Sequence, residues 1–386
     1  MIPDATEAPW LRAFDRPVDL ARLEVLQLHL PQVEPFRSAI GTRLERQALF
    51  VRWENRHGEW GIGECSCRPD PFFSGEFVAG AQAVLRDYIA PLLPAEGTLG
   101  DVEAALRRIR GWPFTVSAVL DAAFDMVRRQ GRPDALELHP NATVERVPVG
   151  ISLGLFPSPE EAVARVDRAV ERGYHRVKLK IAPSMDRGTL DAIRDAHPDL
   201  YLCFDANGSC GQEDLDFVAS LQELAPKSVE QPFAPGRLDL CLDLKYQAPD
   251  LKVCLDESLN GIGSLVTAHR LGALDEVNIK PGRLGGPLET CQVLDFCARE
   301  NLPAWVGGMF ESGVGRLANL RVAARLPAAA AHDLSPSSRY FTCDVVRDPI
   351  TMDADGTIDL SDDSPVRLDE ETMQELTVER FELRAA

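Results

Sequence analysis

Residues 177–207 read VKLKIAPSMDRGTLDAIRDAHPDLYLCFDAN, in which two short apolar runs flank a stretch with helical spacing. Lys180 ends the first run and Asp205 ends the second. The arrangement recurs at intervals of 24 to 26 residues, with Glu230 in VEQPF, Asp256 in CLDES and Lys280 in NIKPG. One strand followed by one helix has about this length, so the repeat predicts a series of βα units.

Alternation of strands and helices continues from VPVGISLG (147–154) to a helical stretch near 313–326. Serial units of this kind indicate a parallel sheet with crossover helices, and their regular length favours a closed barrel over an open sheet. We therefore predict the α/β class and a TIM-like (β/α)-barrel. The polar residues that end the strands would then lie together at the barrel end where active sites form.

A separate α+β domain is predicted ahead of the barrel, because three strand patterns are followed by three helical ones. The strands are expected at 23–30, 47–54 and 61–65, and the helices at 75–92, 99–110 and 115–130. Two Pro/Gly-containing loops, 31–43 and 67–76, are candidate lids. The predicted divisions are a poorly structured lead-in at 1–20, a capping domain at 21–142, the barrel at 143–330, and a segment at 331–386 that completes the capping domain.

Composition restricts the partners. The net charge of −19 and the sequence pI of about 4.8 argue against nucleic-acid and anionic-membrane binding. No apolar run approaches the roughly 18 residues of a membrane helix, and the acidic N-terminus lacks a signal-peptide pattern. Nine scattered cysteines supply no zinc-like ligand set, which favours reduced thiols and a cytoplasmic location.

Three carboxylates, Asp205, Glu230 and Asp256, follow three consecutive predicted strands. Hard oxygen ligands with positions left open for water and substrate suit Mg²⁺, or alternatively Mn²⁺. Glu257 directly follows Asp256, and strand alternation would turn it to the opposite face. We therefore rank Glu257 below Asp256 as a ligand.

Lys178 and Lys180 are two residues apart on one strand and therefore share a face. At the barrel mouth this face would point toward the carboxylates. Crowding of an amine beside a cation and a second amine favours its neutral, basic form. Lys280 is expected across the barrel, so two amines could act on opposite sides of one substrate carbon.

Substrate contacts are predicted from three motifs: Asn207 in CFDAN, Arg283 in KPGR, and Gly308, Met309 and Ser312 in GGMFESG. The glycines permit close approach of the backbone to a ligand, and Arg283 could also act on Lys280 by like-charge repulsion. Two roles remain open for Glu311, holding a lysine or capping the next helix. Structural roles are expected for His175, His269 and His332.

Taken together, KLK, DAN, EQP, DES, NIKPGRLGG and GGMFESGVGR resemble the enolase superfamily, in its muconate-lactonising-enzyme branch. FRSAIGT and GECSCRPDPFFSGE are most similar to o-succinylbenzoate synthases and the related N-acylamino acid racemases. The resemblance covers nearly the whole chain. It implies that Asp205, Glu230 and Asp256 bind Mg²⁺, that Lys180 is the acid/base with Lys280 as its partner, and that Lys178 tunes Lys180.

The implied activity is a Mg²⁺-dependent o-succinylbenzoate synthase of menaquinone biosynthesis, a lyase that dehydrates a cyclohexadiene carboxylate through an enediolate. An N-acylamino acid racemase, or one protein with both activities, is the alternative. A muconate cycloisomerase remains open. A dipeptide epimerase is disfavoured because HDLSPS (332–337) lacks the expected Asp-x-Asp. The expected partners are a small-molecule carboxylate and further copies of the chain in a homo-oligomer.

Two other functional classes are also considered for these residues. In a metal-free aldolase, Lys280 would form a Schiff base with a carbonyl substrate. In a non-catalytic binding protein, the lysines would serve no reaction. Both leave the three aligned carboxylates unexplained.

Overall fold

The computed structural model describes residues 8–38, 41–327 and 331–384. Its strands are β1 Pro17–Asp19, β2 Arg22–Ser38, β3 Gly41–Glu54, β4 Trp60–Cys65, β5 Glu96–Thr98, β6 Arg146–Pro148, β7 Ile151–Leu153, β8 Arg176–Lys180, β9 Tyr201–Asp205, β10 Ser228–Glu230, β11 Val253–Leu255, β12 Glu276–Ile279, β13 Ala304–Val306, β14 Thr357–Asp359 and β15 Thr377–Leu383. Its α-helices are α1 Val78–Val84, α2 Leu99–Leu106, α3 Pro113–Arg129, α4 Pro159–Glu171, α5 Arg187–Ala196, α6 Leu215–Ser220, α7 Leu238–Gln247, α8 Ile262–Leu271, α9 Pro281–Leu284, α10 Pro287–Glu300, α11 Gly313–Ala323 and α12 Glu370–Leu376.

Strands β7 to β13 form one parallel sheet in sequence order, with helices between successive strands. In β8, Val177 and Leu179 are buried in the core formed with the surrounding helices. Because side chains alternate along a strand, Lys178 and Lys180 point to the other face, into the barrel. The predicted fold class, a capped (β/α)-barrel, is confirmed.

A short segment after α11 closes the sheet into a ring. His332 makes a parallel bridge to Val149 beside β7, and Asp333 makes one to Gly307 beside β13. The barrel wall therefore extends past residue 330, where the sequence placed its end. This segment takes the eighth strand position in the ring, between β13 and β7. Counted around the ring in either direction, β8 and β12 are then four positions apart and lie on opposite sides of the barrel.

His332 has a structural role in this closure. Its Nδ1 accepts a hydrogen bond from the Val306 backbone N–H at 3.0 Å. Burial, reinforced by the charge of Arg176, lowers the pKa of His332 to about 3. The imidazole is thus neutral at physiological pH, as an acceptor for a backbone N–H requires.

The capping domain contains an antiparallel sheet in the order β15-β2-β3-β4. Its last strand comes from the C-terminal segment, since β15 pairs with β2 from Leu23 to Leu28. Helix α3 packs directly on β4, and a Cβ at Gly61 or Gly63 would lie 2.2 or 2.1 Å from a backbone oxygen of α3. Only glycine permits this approach of helix and strand.

Two expectations for the first 43 residues are corrected. The stretch 31–43 is not a loop, because β2 and β3 continue their pairing to Ser38 and Gly41, with a register irregularity after Pro31; residues 39 and 40 lie outside the described part. The described part of the lead-in forms regular structure, with a 3₁₀ turn at Pro9–Ala13 and strand β1. Trp10 is buried, and its Nε1 donates to Asp295 at 2.9 Å, which fixes this segment on α10.

No helix in the described part of the chain is both long enough and apolar enough to cross a membrane. All nine cysteines are free thiols in the structure, and all are buried except the half-buried Cys343.

Candidate active site

A cleft with about 620 Å³ of empty space, including the part open to solvent, lies at the C-terminal ends of the barrel strands. The second candidate lid, the loop at 67–76, reaches this cleft through Arg68 and Phe73. The cleft is lined by most of the site residues that were proposed from sequence: Lys178, Lys180, Asp205, Asn207, Lys280, Gly308 and Met309.

Lys178 lies at the buried floor of the cleft among three carboxylates. Its Nζ is 2.7 Å from Glu230 Oε2, 2.8 Å from Asp333 Oδ2 and 3.3 Å from Asp205 Oδ2. Burial favours the neutral amine, but Asp333, Glu230 and Asp205 outweigh it and raise the pKa of Lys178 well above its usual value. Lys178 is therefore an ammonium that neutralises the carboxylate cluster.

Lys180 and Lys280 occupy matching positions on opposite sides of the cleft. The Nζ of Lys180 donates to Asp205 Oδ2 at 2.5 Å and to Asn207 Oδ1 at 2.7 Å. The Nζ of Lys280 donates to Asp256 Oδ2 at 2.6 Å and lies 4.8 Å from the centre of the Phe73 ring. Each amine is thus oriented by one carboxylate, and the capping domain covers the second amine.

The three predicted metal-binding carboxylates, Asp205, Glu230 and Asp256, are all buried at one end of neighbouring strands. Burial disfavours ionisation of Asp205, but the charges of Lys180 and Lys178 outweigh it and lower the pKa of this carboxyl. Glu230 also accepts from Asn278 Nδ2 at 2.7 Å. Hard oxygen donors of this kind fit a divalent cation.

In this structure the carboxylate oxygens pair with ammonium groups. Within the described residues, no group of three or more Asp, Glu, His or Cys side chains is arranged to hold a metal ion. Three buried carboxylate oxygens at the site have no hydrogen-bond partner among the described residues: Asp256 Oδ1, Glu257 Oε2 and Asp333 Oδ1. The donor set therefore fits a cation in chemistry and strand placement, while its side chains are turned toward the lysines.

The expectation that Glu257 faces away from the site is wrong. Strand β11 ends at Leu255, so the alternation of side chains does not extend to residue 257. Glu257 Oε1 accepts from Asn207 Nδ2 at 3.0 Å, inside the cleft region. Burial raises the pKa of Glu257; Lys280 opposes this shift, whereas the neighbouring carboxylates Asp205 and Glu230 add to it.

Asp333 is a site residue that the sequence analysis missed. It lines the cleft and pairs with Lys178 from the segment that closes the barrel. The 24–26-residue interval contains a signal for it. Continued beyond Lys280, the interval reaches Val306, which ends β13, and then the barrel-closing His332.

Arg283 does not line the cleft. It is buried behind Asp256, which its Nη1 contacts, and it donates to the backbone oxygens of Leu259 at 2.6 Å and Asn278 at 2.7 Å. Arg283 therefore touches the carboxylate that orients Lys280, and no direct contact with a bound substrate follows from this placement.

Ser312 is likewise removed from the cleft. Its Oγ accepts from the Val314 N–H at the start of α11 and donates to Glu64 Oε2 at 2.7 Å. Neither role considered for Glu311 is observed. Ser312 caps the helix, and Glu311 pairs with Arg316, with 3.3 Å between Oε2 and Nη2.

Glu64 joins the capping domain to the barrel and should make stability depend on pH. Burial raises the pKa of Glu64 to about 7, against an opposing effect of Arg46. Between about pH 4.5 and 7 the folded protein therefore holds a proton that the unfolded chain releases, so stability falls as pH rises, by on the order of 3 kcal/mol from this group. Urea unfolding at pH 5 and pH 8 should show a smaller decline for Glu64→Gln than for the unsubstituted protein. Equal declines would show that Glu64 is ionised throughout.

Known proteins resemble the chain over the region that contains this site. The family described as "Enolase C-terminal domain-like" matches residues 161–365, which include the carboxylates, the lysines and the barrel-closing segment. The chain belongs to the enolase superfamily. Its resemblance to that superfamily, predicted from the motifs, is confirmed.

Among superfamily members, the chain is 35% identical over 334 residues to an N-succinylamino acid racemase of Amycolatopsis sp., covering 84% of this chain and 89% of that protein. It is 30% identical over 329 residues to an o-succinylbenzoate synthase of Listeria innocua, covering 84% and 87%. An enolase-superfamily crystal structure from Listeria innocua superposes with a TM-score of 0.88 at 27% identity, covering 95% of this chain and all of that one. The relatives are enzymes of both predicted types.

Proposed function

We propose that this enolase-superfamily chain is a Mg²⁺-dependent o-succinylbenzoate synthase that removes a proton next to a substrate carboxylate and eliminates water. The observation that carries the proposal is the placement of Lys180 and Lys280 on opposite sides of one cleft, each held by a buried carboxylate. Relatives named o-succinylbenzoate synthase at 28 to 32% identity support it.

The chain's own residues support a simple division of roles. Lys180, oriented by Asp205 and Asn207, would take the proton from the substrate carbon as general base. Its ammonium form would then return this proton to the leaving hydroxyl, which departs as water. Lys280, on the other side, would stabilise the developing negative charge by its ammonium. Phe73 lies over Lys280 and would exclude water from that side. A divalent cation held by Asp205, Glu230 and Asp256 would supply further electrostatic stabilisation of the substrate carboxylate.

An N-acylamino acid racemase is the second candidate, alone or beside the synthase. The matched settings of the two lysines favour it, because racemisation requires a proton to leave from one face and return to the other. Relatives named N-succinylamino acid racemase reach 35% identity. For either activity we propose a small-molecule carboxylate as substrate and, from the free thiols, a cytoplasmic location. The resemblance to this branch of the superfamily supports a homo-oligomer.

The synthase proposal predicts conversion of 2-succinyl-6-hydroxy-2,4-cyclohexadiene-1-carboxylate to the aromatic product in the presence of Mg²⁺. Absorbance of the diene measures the rate. Chelation with EDTA should reduce the rate by at least about 100-fold, because charge stabilisation by the cation is lost, and added Mg²⁺ should restore it. Full activity in EDTA would reject metal dependence, and no turnover by metal-loaded protein would reject the synthase.

Racemase activity is measured separately with N-succinyl amino acids in ²H₂O. Loss of optical rotation together with incorporation of deuterium at the α-carbon would establish it. Deuterium incorporation with retained configuration would show that only one lysine exchanges protons with this substrate.

A further inference from the structure

Arg316 lies in the first turn of α11 and lines the substrate cleft, although its side chain is fully buried. Its Nε, Nη1 and Nη2 have no hydrogen-bond partner among the described residues. A guanidinium carries five N–H donors, and buried donors in proteins are almost always paired. The missing acceptor is therefore expected from outside the described residues, as a ligand or as water.

The neighbours of Arg316 do not saturate its donors. The centre of the Tyr340 ring, which also lines the cleft, lies 5.6 Å from Arg316 Cζ. Glu311 contacts only one guanidinium nitrogen, at 3.3 Å, and its other oxygen already accepts from Met309 N and Asn319 Nδ2. A Cβ at Gly308 would lie 2.6 Å from Arg316 Nη1. Glycine at this position thus allows the guanidinium to lie directly against the backbone at the edge of the cleft.

Other cations of the cleft are already engaged. Arg68 donates from Nε and Nη2 to the two oxygens of Asp70, at 2.8 and 3.1 Å. Lys178, Lys180 and Lys280 each donate to a carboxylate. Among the described cleft residues, Arg316 is the cation whose hydrogen-bonding capacity is unused.

We propose that Arg316 binds a second carboxylate of the substrate, at the end remote from the carbon held between Lys180 and Lys280. A planar guanidinium matches a carboxylate in a bidentate arrangement. This inference rests on the proposed function, whose candidate substrates carry two carboxylates, and it assigns the distal one to Arg316. The printed names of both types of relative share a succinyl group, whose chain ends in such a carboxylate. Arg316 is then a specificity-determining residue and takes no part in proton transfer.

Binding of two ligands that differ only at the distal group tests the assignment. Calorimetry in Mg²⁺ compares 2-succinylbenzoate with 2-butanoylbenzoate, in which a methyl group replaces the distal carboxylate. We expect the unsubstituted protein to bind the dicarboxylate about 10- to 100-fold more tightly, the range for a hydrogen bond to a charged group. Arg316→Gln should remove this preference and leave binding of 2-butanoylbenzoate within about threefold. Arg316→Lys, which keeps the charge, should retain part of it.

Arg321→Gln is the matched control. Arg321 is a largely buried arginine of the same helix, but it pairs with Asp134 at 2.5 Å and does not line the cleft. Its substitution should leave the preference unchanged. Equal weakening of both ligands by Arg316→Gln would show a purely structural role and overturn the inference, as would equal binding of both ligands by the unsubstituted protein. If neither ligand binds and no substrate is turned over, the proposed function fails, and the assignment of Arg316 with it.

Discussion

The substitution Lys180→Ala should lower kcat by about 10²- to 10⁴-fold, because a positioned general base contributes this much to the rate. The substitution truncates the side chain to its Cβ methyl group and removes the amine that the structure holds between Asp205 and Asn207. No other amine can take this place, because Lys178 is bound to Glu230 and Asp333 on the cleft floor. Steady-state rates with metal-loaded protein measure the effect.

Lys245→Ala serves as the control for this substitution. Lys245 pairs with Asp275 on the outside of the barrel and does not line the cleft. Its removal should leave kcat within about twofold, since surface ion pairs contribute little even to stability. Full activity of Lys180→Ala, with the protein folded and metal-loaded, would exclude Lys180 as the base and leave Lys280 as the candidate.

Lys178→Met should destabilise the folded protein by about 3–5 kcal/mol, the cost of leaving a buried charge without its partner. Removal of this ammonium leaves Asp205, Glu230 and Asp333 facing one another in a buried site. The free energy of unfolding in urea, measured without divalent cations, gives the effect. A variant within about 1 kcal/mol of the unsubstituted protein would contradict the described charge cluster.

Added Mg²⁺ distinguishes the role of Asp205 and Glu230 as metal ligands from their role as partners of Lys178. A cation that binds only the folded state adds stability with rising concentration. If Asp205 and Glu230 are metal ligands, added Mg²⁺ should recover part of the stability that Lys178→Met loses. Recovery by Mg²⁺ but not by Na⁺ at equal ionic strength would distinguish specific binding from screening.

The barrel could be predicted from sequence because its signal is local and repeated. Strand β8 alternates outward apolar residues with inward polar ones, as Leu179 and Lys180 show, and the polar residues at the strand ends recur within 24 to 26 residues. The capping-domain strands could be read from the same alternation. Hence Lys178, Lys180, Lys280 and the three carboxylates were found without any knowledge of contacts between distant residues.

Features that depend on contacts distant in sequence could not be found in this way. Asp333 joins the site through the barrel-closing segment, in which His332 bridges to Val149 and Asp333 to Gly307. Two single bridges are too short a strand to show alternation of apolar and polar residues, so only the 24–26-residue interval points to this segment. Glu257 turns inward because β11 ends two residues before it. The stretch 31–43 reads as a loop because of its prolines, yet pairing with its neighbour extends both strands.

The sequence by itself thus determined the fold class and which side chains lie at the barrel mouth, since strand period and unit length are properties of neighbouring residues. Only the tertiary structure decided which of these groups touch. Lys178 neutralises the carboxylates, Arg283 and Ser312 lie behind the cleft, and Arg316 lines it with its donors unused. Burial and pairing depend on segments far apart in the chain, and the local pattern contains no information about where those segments meet.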